Sequence, residues 1–480
     1  MEKRKVDIAI IGAGTAGLTA YNAARKHTDS LLLIEGGSYG TTCARVGCMP
    51  SKLLIAAAES AHDASRAQQF GIQVGDIAVN GEKVLERVRR QRDGFVESVL
   101  ESMESIPDEH KLMGCARFVA PGRLAVGNST EIEADRIVIA TGSSPTIPAM
   151  FQHLGDRLLV NDSLFELSSL PDSVAVFGSG VVGLELGQAL NRLGVRVSMF
   201  GRNGSLGGIA DEEIRADAEQ YFNEEFYLDT HSEGTTITAH ESGVYVSFTH
   251  REKGAVTEQF DYALVATGRS PNLNDLHLHN SGLTLDDKGI PLTDPSTLQC
   301  GDNPIFLVGD ANRHAPFLHE AAHEGRIAGD NAGRYPNVVS VERQVSFSVV
   351  FSSPQIAAIG VPVGRMSAAE RTRYVEGTSS FENQGRSRVI GKNRGILKVY
   401  AEADSGLFVG AEMFGPAAEH IGHLLAWAAQ QRMTVEAMLA MPFYHPVIEE
   451  GVRSALKSLR NNLKKSGANV DPCLECGPGG

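Results

Sequence analysis

Two stretches of the chain carry the same pattern of apolar and polar positions. In "VDIAIIGAGTAGL" (residues 6–18) and "SVAVFGSGVVGLE" (173–185), an apolar run of the kind that forms a buried strand meets G-x-G-x-x-G and then a helix-like run. Each is answered later by a second apolar strand closing on Thr-Gly, "IVIATGS" (137–143) and "ALVATGR" (263–269). Strand, glycine turn, helix and strand-Thr-Gly therefore occur twice, which predicts two Rossmann-like α/β nucleotide-binding modules in tandem. The first module is about forty residues longer between its fingerprint and its Thr-Gly. The extra length holds a cysteine pair and "KVLERVRRQRDGFVESVLESME" (83–104), whose charged periodicity predicts an exposed amphipathic helix. After "IFLVGDAN" (305–312) the pattern changes. "VSFSVVFSSPQIAAIG" and "GILKVYAEADSGLFVGAEMFG" alternate as strands do, and "HIGHLLAWAAQQR" reads as an apolar helix, so a third, α+β domain is expected. The expected divisions are 1–150 (first module with the cysteine pair and helical insertion), 151–270 (second module), 271–340 (return to the first module), 341–463 (α+β domain) and 464–480 (a Gly/Pro-rich, mobile tail).

Bulk properties narrow the functional classes. A 480-residue chain with 42% hydrophobic and 21% charged residues is an ordinary globular protein. No apolar run nears the roughly 20 residues that span a bilayer, and "MEKRKVDIAIIGAG" lacks the pattern of a secretory signal. A net charge of −14 argues against a nucleic-acid surface. The cytoplasm is the expected location, with no membrane partner. Six cysteines are too few for a disulfide scaffold, and they are paired unevenly. Cys43 with Cys48 and Cys473 with Cys476 are close pairs, while Cys115 and Cys300 stand alone. In a reducing compartment such pairs point to redox chemistry or a metal.

The fingerprints impose distinct demands. Gly12 permits the tight turn, Gly14 lets a pyrophosphate approach the backbone, and Gly17 lets helix and strand pack closely. Glu35 ends the next strand, "LLLIE", where a carboxylate takes ribose hydroxyls. Thr141 and Gly142 close this module. Gly178, Gly180 and Gly183 repeat the fingerprint and Gly268 repeats the closing glycine, but "VRVSMF" runs into Gly201 and Arg202 with no acid. An arginine there suits a 2′-phosphate.

In "YGTTCARVGCMPSK" (39–52) the cysteines are five apart. On a regular helix their Cα atoms would be separated by roughly 8 to 9 Å, beyond the roughly 7 Å a disulfide tolerates. A bonded pair therefore requires an irregular helix. Gly47 allows one, and Pro50 suits the first turn of the helix that follows. Cys48 would sit near a helix N-terminus with Lys52 one turn on, a setting that lowers a thiol pKa. Zinc is the alternative, with Cys473 and Cys476 completing four ligands. It is disfavoured because the first pair follows directly on a dinucleotide module, and no metal is expected.

"GTTCARVGCMPSK", with "ATGRSPN" (266–272), "VGDAN" (308–312) and "HPVIEE" (445–450) in the same order, resembles the FAD-dependent pyridine nucleotide-disulfide oxidoreductases, dihydrolipoyl dehydrogenases above all, over nearly the whole chain. The resemblance implies FAD in the first module, with Asp310 on the ribityl chain, NAD(H) or NADP(H) in the second, and a dimer interface in the third. Cys43 would exchange with substrate and Cys48 would make charge-transfer contact with the flavin, beside Lys52 paired with Glu185. His445, oriented by Glu450, would serve the partner subunit's cysteines as base. A dithiol attacks as thiolate, so a base must take its proton. Glu449 is the fallback carboxylate, and His319, His420 and His423 are read as surface or packing groups.

Departures from the family pattern refine this. Gly-Thr-Thr-Cys replaces the common Gly-Gly-Thr-Cys, a mild change, and Phe443-Tyr444 replaces the His-Ala common in dihydrolipoyl dehydrogenases. Arg202 resembles the NADPH-using glutathione and mercuric reductases, though their second arginine, six residues on, is Gly208 here. The expected function is a homodimeric dihydrolipoyl dehydrogenase acting on lipoyl domains or another small dithiol. The alternative is an NADPH-dependent disulfide or metal reductase in which Cys473 and Cys476 shuttle electrons. A transhydrogenase, or a flavoprotein scaffold, would leave the Cys43–Cys48 pair unused.

Overall fold

The computed structural model describes residues 2–465. Cys473 and Cys476, and with them any zinc site or shuttle they form, lie outside these residues. Among the described residues, the first sheet has a parallel core in the order Lys111–Met113, Leu31–Glu35, Glu2–Ile11, Thr130–Ile139, Ile305–Leu307. The register sets Ile10 beside Leu33 and Val138, and Ile137 beside Ile305. Strands buried on both faces explain the unbroken apolar runs in the sequence. The antiparallel strands Ala116–Ala120 and Arg123–Val126 extend the other half of Thr130–Ile139.

The second sheet repeats the parallel arrangement with Tyr227–Asp229, Arg196–Phe200, Ser173–Phe177, Tyr262–Val265 and Leu158–Leu159. The segments that follow the two Thr-Gly pairs, Ser143–Pro145 and Arg269–Pro271, pair antiparallel and join the modules. The third unit is an antiparallel sheet, Phe347–Val350, Gln355–Gly360, Phe408–Gly415, Ile396–Glu402 and Tyr374–Ser380. Helices Ala418–Gln430 and Glu450–Lys465 pack on it, burying Ile421, Leu425, Leu456 and Leu459. Two Rossmann-like modules and a C-terminal α+β domain are thus the architecture.

The helical insertion is Gly81–Glu104, capped by Asn80, whose side chain accepts from Lys83 N at 2.9 Å. Only a narrow stripe, including Leu85 and Val88, is buried, and it packs on the helix Cys48–Ser65. The insertion therefore braces the helix that begins at Cys48.

Candidate active site

Close approach fixes the two glycine turns. A Cβ on Gly12 (φ 105°) would lie 2.3 Å from Ala140 O, and one on Gly17 would lie 1.8 Å from Gly12 O. Gly178 and Gly183 repeat these contacts at 2.3 and 1.8 Å, against Ala266 O and Gly178 O. Gly14 and Gly180 instead face open space at the N-termini of helices Thr15–Ala24 and Val181–Arg192. Backbone N–H groups there suit a pyrophosphate.

The first module's remaining groups also fit a dinucleotide. Glu35 accepts from Ala13 N and from Gly37 N, each at 2.7 Å, which holds its carboxylate beside the turn. The Thr141 hydroxyl is buried without a hydrogen-bond partner. Asp310 accepts from Ser143 Oγ at 2.6 Å, and Ser143 is itself fixed by Arg269 Nε at 2.8 Å. An orphaned hydroxyl and a pre-set acid are polar groups awaiting a polar ligand.

At the second module Arg202 is exposed beyond the end of Arg196–Phe200. Two groups that the sequence reading did not single out lie beside the same loop. Arg215 Nη1 donates to Gly204 O at 2.8 Å, and a Cβ on Gly204 would fall 2.9 Å from His231 Nε2. Gly204 also donates to Thr230 O at 3.0 Å, which folds the loop onto the Thr230–His231 segment. The three residues come from separate elements, so no local motif marks them.

The helix carrying the cysteines is broken between them. Thr42–Arg45 makes a single turn, Val46 and Gly47 leave helical geometry, and Cys48 opens the helix Cys48–Ser65. A Cβ on Gly47 would stand 3.1 Å from Thr42 O and 3.2 Å from Cys43 Cα, so its absence lets the two segments close on each other. Cys43 and Cys48 are free thiols within hydrogen-bonding reach. The bond from Cys43 to Cys48 holds the proton on Cys43, whose pKa is raised, further so by burial. The same bond, helped by Lys52, lowers Cys48 to about 7. Cys48 is the ready thiolate, and Cys43 needs a base.

Lys52 Nζ donates to Glu185 Oε2 at 2.7 Å, and Glu185 Oε1 accepts from Phe351 N at 2.9 Å. The lysine lies 4.5 Å from the Phe351 ring centre. Cysteine helix, second module and third domain therefore meet at one buried carboxylate. Phe351 was not legible in the sequence, because it is 166 residues from Glu185.

His445 is paired with Glu450, Nδ1 to Oε1 at 2.9 Å, and not with Glu449. The hydrogen bond from His445 lowers the Glu450 pKa, which keeps the carboxylate ionised. The His445 side chain is 78% exposed and Tyr444 beside it is 80% exposed, so within one chain this pair faces outward. Trp427 and Leu424 are further exposed apolar side chains of the same domain. His319 stacks on Phe317, His420 lies 3.5 Å from Glu419, and His423 packs edge-on to Phe347.

The change at position 41 is not the mild one that the sequence suggests. Thr41 has φ 58° and ψ 149°, a region that glycine occupies freely and a β-branched residue does not.

Among the described residues no cluster of three or more His, Cys, Asp or Glu is gathered for a metal, and no helix is long and apolar enough to cross a membrane. A family model described as pyridine nucleotide-disulphide oxidoreductase matches residues 6–325, and one described as the dimerisation domain of that family matches 346–456. A mercuric reductase of Streptomyces lividans is 30% identical over 476 residues, 96% of this chain and 97% of its own length. A dihydrolipoyl dehydrogenase of Bacillus subtilis is also 30% identical, over 94% of this chain and 98% of its own. Among solved structures, LpdA from Mycobacterium tuberculosis superposes with a TM-score of 0.78 at 25% identity, covering 95% of this chain and 99% of that one.

Proposed function

Since the chain belongs to the pyridine nucleotide-disulphide oxidoreductase family, we propose that it is a dihydrolipoyl dehydrogenase, taking dihydrolipoamide and NAD(P)+ to lipoamide, NAD(P)H and a proton. The family is FAD-dependent and exchanges electrons with NAD(P)H, and the dimerisation domain supports a homodimer. The observation that carries the reading is the thiol pair set across a broken helix beside the Lys52–Glu185 ion pair, with Cys48 lowered to about 7.

Gly12, Gly14, Gly17, Glu35, Thr141, Gly142 and Asp310 would hold FAD, which when bound supplies two-electron exchange between the cysteine pair and the nicotinamide. Gly178, Gly180, Gly183 and Gly268 would hold the nicotinamide cofactor. In the oxidised enzyme a substrate thiolate attacks Cys43 Sγ. The Cys43–Cys48 bond breaks and Cys48 leaves as a thiolate, stabilised by Lys52. His445 of the partner subunit takes the proton of the second substrate thiol, which then displaces Cys43 and closes the substrate disulfide. Glu450 stabilises the imidazolium. Lipoyl domains fit as partners because they present a small dithiol on a long arm, and a reducing cytoplasm suits a pair that must cycle.

A second reading is favoured by Arg202 and Arg215, which flank the same loop and whose guanidinium groups suit the 2′-phosphate of NADPH. Electrons would then run outward, through the cysteine pair to Cys473 and Cys476, and on to an external disulfide or soft metal. Anaerobic mixing separates the two. Rapid reduction of the bound flavin by dihydrolipoamide, reversed by NAD+, is expected on the first reading. Reduction by NADPH alone, with turnover lost on truncation before Cys473, would replace it with the second.

A further inference from the structure

Thr41 lies two residues before Cys43 in backbone geometry that its own Cβ opposes, at φ 58° and ψ 149°. Its side chain has a definite task there. The hydroxyl accepts from Ala44 N at 3.3 Å and the carbonyl accepts from Arg45 N at 3.1 Å, so Thr41 caps the turn Thr42–Arg45 from outside. Arg45 straps the far end of that turn to Ser38 O at 3.1 Å. One helical turn is too short to hold itself, and it is broken off at Gly47 from the helix that begins at Cys48. Cys43 therefore rides on a turn anchored by these two side chains.

We infer that Thr41 is a positioning residue for the redox pair, its strained backbone retained because the hydroxyl fixes the turn that presents Cys43 to Cys48. The inference rests on the proposed function, in which this pair cycles. When the pair closes, Cys43 and Cys48 together give up two electrons and two protons as their S–S bond forms. With glutathione disulfide as oxidant, its own S–S bond breaks and two glutathione thiols take them up. Holding one sulfur against the other raises its effective concentration, which favours the closed form.

The test uses the flavin-loaded enzyme as wild type, Thr41→Ser, Thr41→Ala and Thr41→Gly. Each is equilibrated without oxygen in glutathione buffers, quenched, alkylated, and scored by mass for the Cys43–Cys48 peptide. Thermal unfolding is recorded alongside. Loss of the cap in Thr41→Ala is expected to shift the equilibrium about fivefold toward the dithiol, as the loss of a capping hydroxyl does, and Thr41→Gly is expected to shift it less. Thr41→Ser, which keeps the hydroxyl, is expected to stay within about twofold of wild type. Thr41→Gly should unfold at a higher temperature than Thr41→Ala, since both lack the cap and only glycine sheds the strain. Equal midpoints in all four proteins, with the wild-type pair cycling, overturn the inference alone. So does a Thr41→Gly variant no more heat-stable than Thr41→Ala. A wild-type pair that never closes overturns the redox reading itself, and this inference with it.

Discussion

At the scale of single residues, Cys48 is where charge is decided. Lowered to about 7, it carries a larger thiolate share at neutral pH than an ordinary cysteine. The hydrogen bond from Cys43 contributes most to this, Lys52 adds to it, and Glu185 works against it. Lys52→Met is therefore expected to raise the midpoint of Cys48 alkylation by about one pH unit. Glu185→Gln should lower it. Iodoacetamide labelling of the reduced protein across pH, read for the Cys48 peptide, checks both. Midpoints that move together, or not at all, would remove Lys52 from the account. The other decisive residue on the proposed function is His445, which takes the proton of the second substrate thiol. His445→Gln should cut dihydrolipoamide turnover by about 10²- to 10⁴-fold with flavin content unchanged. Glu450→Gln should cost about tenfold, and Glu449→Gln little, because the imidazole is bonded to Glu450. Steady-state rates of the three variants decide it, and a larger loss at Glu449 would reverse the assignment.

At the scale of elements, the second module and the third domain are joined by a buried charge cluster. Lys398 and Glu412 are cross-strand neighbours. Glu412 accepts from Ala210 N at 2.6 Å and from Asp211 N at 2.7 Å, while Lys398 bonds Asp211 at 3.0 Å. Burial raises the Glu412 pKa. Lys398→Met would leave Asp211 and Glu213, which it bridges at 3.0 and 2.8 Å, without their cation and should cost about 3 kcal/mol at neutral pH in urea denaturation. A carboxyl whose folded pKa is raised binds its proton more tightly in the folded state, so falling pH favours the fold. Wild type should accordingly gain stability relative to Glu412→Gln in urea denaturation as pH falls from 8 to 5, and a constant difference would show that Glu412 takes no part. No part of this joint was legible in the sequence, since Lys398 and Asp211 are 187 residues apart. The glycine fingerprints were legible because the constraint is local: a Cβ at Gly12 or Gly17 meets backbone a few atoms away, so the spacing itself records the geometry. The break in the cysteine helix was legible for the same reason, from a five-residue separation that a regular helix would hold too far apart. Thr41 was not, because the letter names a side chain and says nothing of the φ at which it is held.

At the scale of the whole molecule, the proposed chemistry draws on two chains. Its proton-laden Cys43 stands on the first module, while its His445–Glu450 pair faces outward from a dimerisation domain. If each site takes Cys43 from one subunit and His445 from the other, two inactive variants should complement each other. Cys43→Ser keeps a native His445, and His445→Gln keeps a native Cys43. In a mixed dimer one site then has both native residues and the other has neither. Random reassociation of equal amounts places half the molecules in mixed dimers, each with one working site of two, so about a quarter of wild-type turnover should return. The variants are inactive apart, so the gain is read against near-zero background after mild dissociation and remixing. Were base and thiol to act within one chain, every subunit in the mixture would lack one of them, and no activity would return however completely the dimers exchanged.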